Sequence, residues 1–293
     1  MEVKEIIAKN MLVKSKLPDA DYVVNPYTGC EFGCSYCYAS FMSKFVNQPI
    51  SNWGNYVYAK VNAIEVFKKD LEKMKSSERN SSILFSSVTD CYQGIEAKYK
   101  LTRGMLQLLA DFEYPGEVGI LTKSSMITRD IDIIRRLKNP DIGMTITTSD
   151  DKLSRFLEAH ATASSARIAT LKKLHDEGIT PYAFIGPLLP HFRYKPELLD
   201  DLFAKLKNAG VNSIYVEHIN LSNYIKVRLF DAINDEPEEV KKVYMNAESD
   251  EHRKALDEIV SRLVDKHGLT LREGEVLYHN REKGGWKDSW PTK

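Results

Sequence analysis

Short apolar runs alternate with amphipathic segments along the chain after residue 20. Runs rich in β-branched and aromatic residues predict six buried strands. The predicted strands cover residues 22–24, 81–88, 118–122, 142–148, 180–189 and 211–217. Apolar positions at helical spacing predict intervening helices. These helices cover residues 62–75, 101–112, 127–137, 164–176 and 196–208.

This alternation with short connections predicts an α/β fold, in which a parallel sheet with outer helices curls into a full or partial barrel. The pattern changes after residue 218, where charged, irregular sequence surrounds predicted helices at 238–245 and 249–267. We therefore expect a core over residues 1–218 and a small helical and irregular extension over 219–293, packed on the core. Its tail carries Trp286 and Trp290 and is expected to cover one barrel mouth.

Composition narrows the class of protein. Of 293 residues, 43% are hydrophobic, which is enough for a large core. The 41 basic residues balance 41 acidic ones, which argues against a dominant electrostatic grip on nucleic acid. The start of the chain lacks an apolar signal, and no uncharged run approaches the roughly 18 residues of a membrane helix. We expect a cytoplasmic protein without a membrane partner.

Three of the four cysteines lie within eight residues, directly after the first predicted strand. Cys30, Cys34 and Cys37 form a C-x3-C-x2-C pattern, and Gly29 and Gly33 allow the loop to bend tightly. Three thiolates on one loop can hold a [4Fe–4S] cluster and leave its fourth iron open to a cofactor or substrate. In a reducing compartment, clustered cysteines indicate a metal site rather than disulfides.

A structural zinc site is the alternative. It normally needs four protein ligands, so Cys91 or a histidine would have to join the three cysteines. No such ligand lies nearby in the sequence, and paired C-x2-C knuckles are absent.

The cysteine loop is identified as similar to that of the radical S-adenosylmethionine (SAM) superfamily. The segment NPYTGCEFGCSYCY, at residues 25–38, resembles the spore photoproduct lyase-like branch most. Further similar motifs are SSVTD at 86–90, QGIE at 93–96, LTR at 101–103, LTKS at 121–124, RD at 129–130 and TITT at 145–148. The resemblance covers about residues 22–190, in order.

The resemblance implies a partial (β/α)6 barrel of TIM type and an enzyme with two cofactors, a [4Fe–4S] cluster and SAM. Reduced by a reductase or by a flavodoxin- or ferredoxin-type donor, such an enzyme cleaves SAM to a 5′-deoxyadenosyl radical, which abstracts a substrate hydrogen. The reaction class, lyase or transferase, stays open.

The resemblance also implies a SAM site at the carboxyl ends of the strands, where barrels place their active sites. Tyr36 would pack near the adenine. Thr89 and Asp90 would face the amino group, Lys123 and Arg167 the carboxylate, and Thr145 and Thr147 the ribose. Each also has a structural interpretation, as a helix cap, a surface charge or a β-former.

On the substrate side, Cys91 follows the second strand and could return a hydrogen atom to a product radical, or be an inert buried thiol. Photoproduct lyases use a cysteine slightly earlier, at about Ser87, so the resemblance does not carry lyase activity over. Further pocket candidates lie on or after the last two strands: Tyr182, Phe184, His191, Tyr215, Glu217 and His218.

Three functions follow from these residues. An enzyme acting on a small molecule or peptide is favoured by the neutral charge. A nucleic-acid repair or modification enzyme is the second, and a non-enzymatic metal-binding interaction module the third.

Overall fold

The computed structural model describes residues 1–18 and 20–278. Strands in these ranges are β1 (Glu2–Ile6), β2 (Val13–Lys14), β3 (Tyr22–Val24), β4 (Tyr27–Thr28), β5 (Tyr56–Lys60), β6 (Ile83–Phe85), β7 (Glu117–Thr122), β8 (Asn139–Thr145), β9 (Pro181–Leu188), β10 (Ser213–His218) and β11 (Thr270–Leu271). Helices are α1 (Ala63–Glu72), α2 (Glu96–Tyr99), α3 (Leu101–Asp111), α4 (Ile131–Ile134), α5 (Asp151–Leu157), α6 (Ser164–Asp176), α7 (Pro196–Asn208), α8 (Asn223–Ala232), α9 (Glu238–Met245) and α10 (Asp250–His267). Single turns of 3₁₀ helix and longer 3₁₀ segments lie at Tyr38–Val46, Ile50–Asn52, Ser76–Glu78, Ser125–Asp130 and Pro190–Arg193.

The six predicted strands form one parallel sheet in sequence order, β3-β6-β7-β8-β9-β10. Antiparallel β2 extends it beside β3, and parallel β11 extends it beside β10. The order is linear within the described residues, so the sheet is a partial barrel. Because all six central strands run the same way, their carboxyl ends share one edge, and the site lies there.

Helices cover the outer face of the sheet. Phe67 of α1 meets Phe85 of β6 edge-on, with 6.2 Å between ring centroids. Leu202 of α7 belongs to the same buried cluster as Ala183 and Ile185 of β9. Since side chains alternate along a strand, this packing assigns the other residues of β9, Tyr182 and Phe184, to the inner face.

Some predicted elements are shorter in the structure. The strand predicted over 81–88 ends at Phe85, because Ser86 adopts a left-handed conformation with φ 73°. The strand predicted over 142–148 starts earlier and ends at Thr145, so Thr147 lies beyond it. The helix predicted over 127–137 is a 3₁₀ segment followed by the short α4.

A second, three-stranded sheet was not predicted. Its order is β1-β5-β4, with β5 in the centre. Hydrophobic periodicity does not predict β1, because three of its five residues are exposed and its sequence is mostly polar. This sheet supports the cysteine loop, which continues directly from β4.

Helix α10 packs on helix α7 of the barrel. Leu256, Val260 and Leu263 of α10 share one buried cluster with Leu199 and Leu206 of α7. The part of the tail carrying Trp286 and Trp290 lies outside the described residues. In the described ranges, no helix combines the length and the apolar character needed to cross a membrane.

Candidate active site

The cysteine loop bends against strand β5 at two glycines. Gly29 has φ 87°, and a Cβ added there would lie 2.4 Å from the carbonyl oxygen of Tyr56. Gly33 has φ 60°, and its added Cβ would lie 3.3 Å from the Cα of Gly54. Only glycine combines the left-handed conformation with this close approach at Gly29, so the backbone itself shapes the loop.

The three cysteines of this loop lie close together as free thiols. Cys30 and Cys34 are buried, and Cys37 is half-buried. Burial raises the pKa of the Cys34 thiol to about 12, and the charge of Cys37 adds to the shift. Burial likewise raises the pKa of Cys30 and Cys37. Thiols that are costly to ionise alone fit a site in which a cationic iron centre stabilises their thiolates.

The donor geometry distinguishes a cluster from a single ion. In residues 1–18 and 20–278, no three histidine, cysteine or carboxylate side chains converge tightly enough to hold one metal ion. Structural zinc requires four donors around one point. In a [4Fe–4S] cluster each thiolate binds a different iron, so the sulfurs need not converge. The three neighbouring thiols on one loop therefore fit the cluster.

The loop after β6 locks the cysteine loop in place. Thr89 donates through Oγ1 to the carbonyl of Gly29 at 2.6 Å, and Gln93 donates to the same carbonyl at 3.3 Å. The side-chain oxygen of Gln93 accepts the backbone N–H of Glu31 at 2.9 Å. Thr89, predicted for SAM binding, thus contacts the segment that carries the first cysteine.

Asp90 lies in the same loop and is buried beside Cys30. Its carboxylate accepts the Thr122 hydroxyl at 2.7 Å and the backbone N–H of Lys123 at 2.8 Å. It also accepts the N–H of Tyr92 at 2.9 Å. Burial raises the pKa of Asp90, and these hydrogen bonds oppose the rise. Asp90 therefore joins the ends of the second and third core strands next to the cysteines.

Lys123 ends the third core strand and faces the cysteine loop. Its Nζ lies 5.8 Å from the ring centroid of Tyr36. Burial lowers the pKa of Lys123, but Cys34 and Glu158 outweigh burial and raise it overall. The structure thus brings together two residues that the sequence assigned to SAM, Tyr36 and Lys123.

Glu158 is the residue of the site that sequence analysis missed. It is fully buried and accepts hydrogen bonds from the phenol of Tyr36 and, at 3.3 Å, from the hydroxyl of Thr147. It also forms a buried ion pair with Arg167. Burial raises the pKa of Glu158, but Arg167 and Lys123 outweigh burial and lower it overall. No local motif marks Glu158, because its partners Arg167, Thr147 and Tyr36 lie 9, 11 and 122 positions away.

Arg167 donates its hydrogen bonds to groups of the chain itself. Nη1 donates to the carbonyl of Thr145 at 2.6 Å, and Nη2 donates to Ser154 at 2.7 Å and to Glu158. The guanidinium is fully buried. Arg167 therefore links the end of β8 to the segment after α5, and it holds Glu158 under Tyr36.

Cys91 lies apart from the other cysteines. It is fully buried in the hydrophobic cluster that contains Phe85 and Met105, whereas Cys30 and Cys34 belong to a different cluster. Burial raises the pKa of its thiol strongly. The structure does not bring Cys91 to the cysteine loop.

The substrate-side candidates fall into separate groups. The rings of Tyr182, Phe184 and Tyr215 pack together on the inner face. The ring centroids of Tyr182 and Tyr215 are 5.4 Å apart and those of Phe184 and Tyr215 are 5.9 Å apart. Phe184 pairs in register with Thr145, near the carboxyl edge. Tyr182 lies two residues earlier on β9, further from the carboxyl edge. The Arg272 guanidinium carbon lies 4.4 Å from the centroid of its ring.

His218 points the other way. It lies on the outer face, and its Nε2 is 2.7 Å from Oδ1 of Asp257 in α10. His191 lies in the 3₁₀ segment after β9, where burial lowers its pKa to about 4. His218 was expected to line the substrate pocket, but its side chain instead contacts Asp257 of α10. Glu217 precedes it on β10.

Relatives with known sequences match this chain over about three quarters of its length. An uncharacterized protein of Methanocaldococcus jannaschii is 37% identical over 222 residues, which are 75% of this chain and 79% of that protein. An uncharacterized protein of Mycobacterium tuberculosis is 27% identical over 226 residues, which are 74% of this chain and 65% of that protein.

Solved structures of spore photoproduct lyase share the fold. The structure of this lyase complexed with dinucleoside spore photoproduct has a TM-score of 0.68 at 15% identity. The match covers 94% of this chain and 82% of the lyase. The family model described as Radical SAM superfamily matches residues 24–196, more than half of the chain. The chain therefore belongs to the radical SAM superfamily and is an enzyme that uses a [4Fe–4S] cluster and SAM.

Proposed function

We propose that Cys30, Cys34 and Cys37 hold the [4Fe–4S] cluster and that the enzyme starts a reaction by abstracting hydrogen from a small molecule or a peptide. The observation that carries this proposal is the grouping of three thiols on one glycine-shaped loop, two buried and one half-buried, beside the cation Lys123. When bound, the cluster supplies the electron that cleaves SAM.

The residues around the loop have the chemistry to bind and orient SAM. Lys123 offers a cation to its carboxylate, and Asp90 a carboxylate to its ammonium group. Tyr36 offers a ring face to the adenine, fixed in orientation by Glu158. Thr145 and Thr147 supply hydroxyls for the ribose, and we assign Arg167 the positioning of Glu158 rather than direct contact.

The neutral chain and its paired cations support a small-molecule or peptide substrate. Arg193, after the fifth core strand, pairs with Glu251, and Arg253 of α10 pairs with Asp250. Phosphate recognition along a nucleic acid needs cations that are available to it. The motif resemblance to photoproduct lyases keeps nucleic acid as the second candidate. A non-enzymatic metal module is excluded by the family.

We also propose the setting in which the enzyme works. All four cysteines are free thiols, which suits the reducing cytoplasm. A reductase or a flavodoxin- or ferredoxin-type protein would supply electrons. The catalytic core would span residues 1–218, with the extension 219–293 packed on it.

Substrate class is tested by hydrogen transfer. Reconstituted enzyme is incubated with reductant, SAM and deuterated peptide or metabolite pools from a native host, and 5′-deoxyadenosine is analysed for deuterium. Label from the peptide or metabolite pool supports the proposal. Label from thymidine-deuterated, ultraviolet-irradiated DNA alone would contradict it and favour the second candidate. Enzyme with Cys34→Ala serves as the background for both pools.

A further inference from the structure

Helix α8 of the C-terminal extension lies against the segment that follows the cluster cysteines. Ile225 and Leu229 anchor the helix in the core. Arg228 precedes Leu229, and its Nη2 lies 3.4 Å from the carbonyl oxygen of Gly33, between Cys30 and Cys34. A residue almost 200 positions away in sequence therefore reaches the cysteine loop.

Among the described residues, the other end of this guanidinium has no hydrogen-bond partner. Nη1 of Arg228 is buried and forms no hydrogen bond within the described part of the chain. The groups that act electrostatically on Arg228 are Cys37, Cys34 and Tyr56, and none is a carboxylate. Buried arginines normally pair with an anion, because an uncompensated charge is costly to remove from water. The apo protein thus holds a half-buried cation whose Nη1 is out of solvent and which has no anionic partner among the described residues.

We propose that Arg228 is a counter-ion of the iron–sulfur cluster, supplied by the C-terminal extension. This inference rests on the proposed ligation by Cys30, Cys34 and Cys37. Three thiolates give the oxidised cluster a net negative charge, and reduction by one electron makes it more negative. A fixed cation stabilises the reduced form more than the oxidised form, so Arg228 raises the reduction potential. The extension would then make SAM cleavage accessible to a weaker reductant.

Lys226 of the same helix provides a matched control. It is exposed, and its Nζ lies 5.9 Å from the ring centroid of Phe230, on the side of α8 away from Arg228. Lys226→Gln removes one charge from α8 without touching the cysteine loop. Arg228→Gln removes the positive charge beside the cysteine loop. Arg228→Lys keeps a positive charge there but loses the planar guanidinium group.

The test is an electron paramagnetic resonance titration of the reconstituted proteins, with iron content measured for each. We expect Arg228→Gln to bind about four irons per chain, as the wild type should, and to show a more negative midpoint potential. Lys226→Gln should match the wild type, and Arg228→Lys should fall between. Equal potentials in the wild type and in iron-replete Arg228→Gln would overturn the inference.

Two further outcomes are decisive. Should Arg228→Gln lose the cluster, Arg228→Lys must restore iron uptake, and its failure to do so would overturn the role of the charge.

Thermal unfolding of the apo proteins distinguishes a counter-ion of the cluster from a residue with a merely structural role. A counter-ion awaiting its partner predicts apo Arg228→Gln at least as stable as the apo wild type, whereas a lower melting temperature would contradict it. Failure of the cysteine assignment itself would appear differently, as Cys34→Ala that still binds the cluster.

Discussion

The phenol of Tyr36 donates a hydrogen bond to the carboxylate of Glu158, across 122 positions of sequence. This contact joins the cysteine loop to the segment after α5. Arg167 holds the same carboxylate from the opposite side, and both members of that ion pair are fully buried. The ring that would face the adenine is therefore oriented by a buried charge pair.

Removing one member of this pair should destabilise the protein strongly. Glu158→Ala leaves the guanidinium of Arg167 buried without its counter-charge, which costs about 3–5 kcal/mol in comparable sites. Urea unfolding of the apo protein measures the loss. The double variant with Arg167→Met should lose less than the sum of the two single variants. Additive losses would mean that the two residues do not act as a pair.

The cysteines should separate into two classes. Cys34→Ala should abolish uptake of the cluster, because two thiolates remain on the loop. Cys91→Ala should retain it, because Cys91 lies in a separate hydrophobic cluster. Iron and acid-labile sulfide per chain measure the difference after anaerobic reconstitution. Loss of iron in Cys91→Ala, with the fold intact by circular dichroism, would reveal a fourth ligand.

Three histidines near the barrel end, His191 half-buried and His218 and His252 buried, predict acid sensitivity. Burial and the charge of Lys195 lower the pKa of His191 from 6.5 to about 4. Burial also lowers the pKa of His218, against the opposing effect of Asp257, and burial and Arg193 lower that of His252. Between the lowered pKa of each histidine in the folded protein and its value of 6.5 in the unfolded chain, the unfolded chain binds protons that the folded chain does not. Stability should therefore fall as the pH drops from about 6.5 towards 4.

The measurement is the free energy of unfolding of the apo protein at pH 7.5 and pH 5. His191→Asn should show a smaller difference between the two pH values than the wild type, since one titrating group is gone. An unchanged difference would place the acid sensitivity elsewhere.

The inner aromatic stack depends on a glycine. A Cβ added to Gly143 on β8 would lie 2.2 Å from the ring of Tyr182, so Gly143→Ala must displace that ring. Overpacking of this kind costs about 1–3 kcal/mol. Gly119→Ala on β7 is the control, because its nearest contact is a methyl group of Leu84 at 3.2 Å. Melting temperatures that fall equally in both variants would contradict the displacement.

Local signals predicted most of the barrel. Helices α6 and α7 have the predicted bounds, because their signals act within a few residues. Gly178 follows the end of α6, and α7 has an amphipathic face, Pro196 in its first turn and Gly210 after its end. The parallel order of the six core strands follows from the β/α alternation. The cysteine loop was recognisable because its three cysteines lie on one short segment.

Long-range contacts explain what the sequence did not reveal. The second sheet contains β1, whose mostly polar face carries no strand periodicity. Glu158, directly after α5, and Arg228, on α8, reach the cysteine loop from far along the chain, and no local pattern distinguishes them from surface charges. Ser86 ends β6 through its backbone conformation, which a serine rarely adopts.

The central claim is that three cysteines leave one iron of the cluster open for SAM. The most direct measurement is the electron paramagnetic resonance spectrum of the reduced, reconstituted enzyme, recorded with and without SAM. We predict a [4Fe–4S] signal that changes shape when SAM is added and keeps its original shape when buffer alone is added. A four-iron signal that is identical with and without saturating SAM would contradict the account.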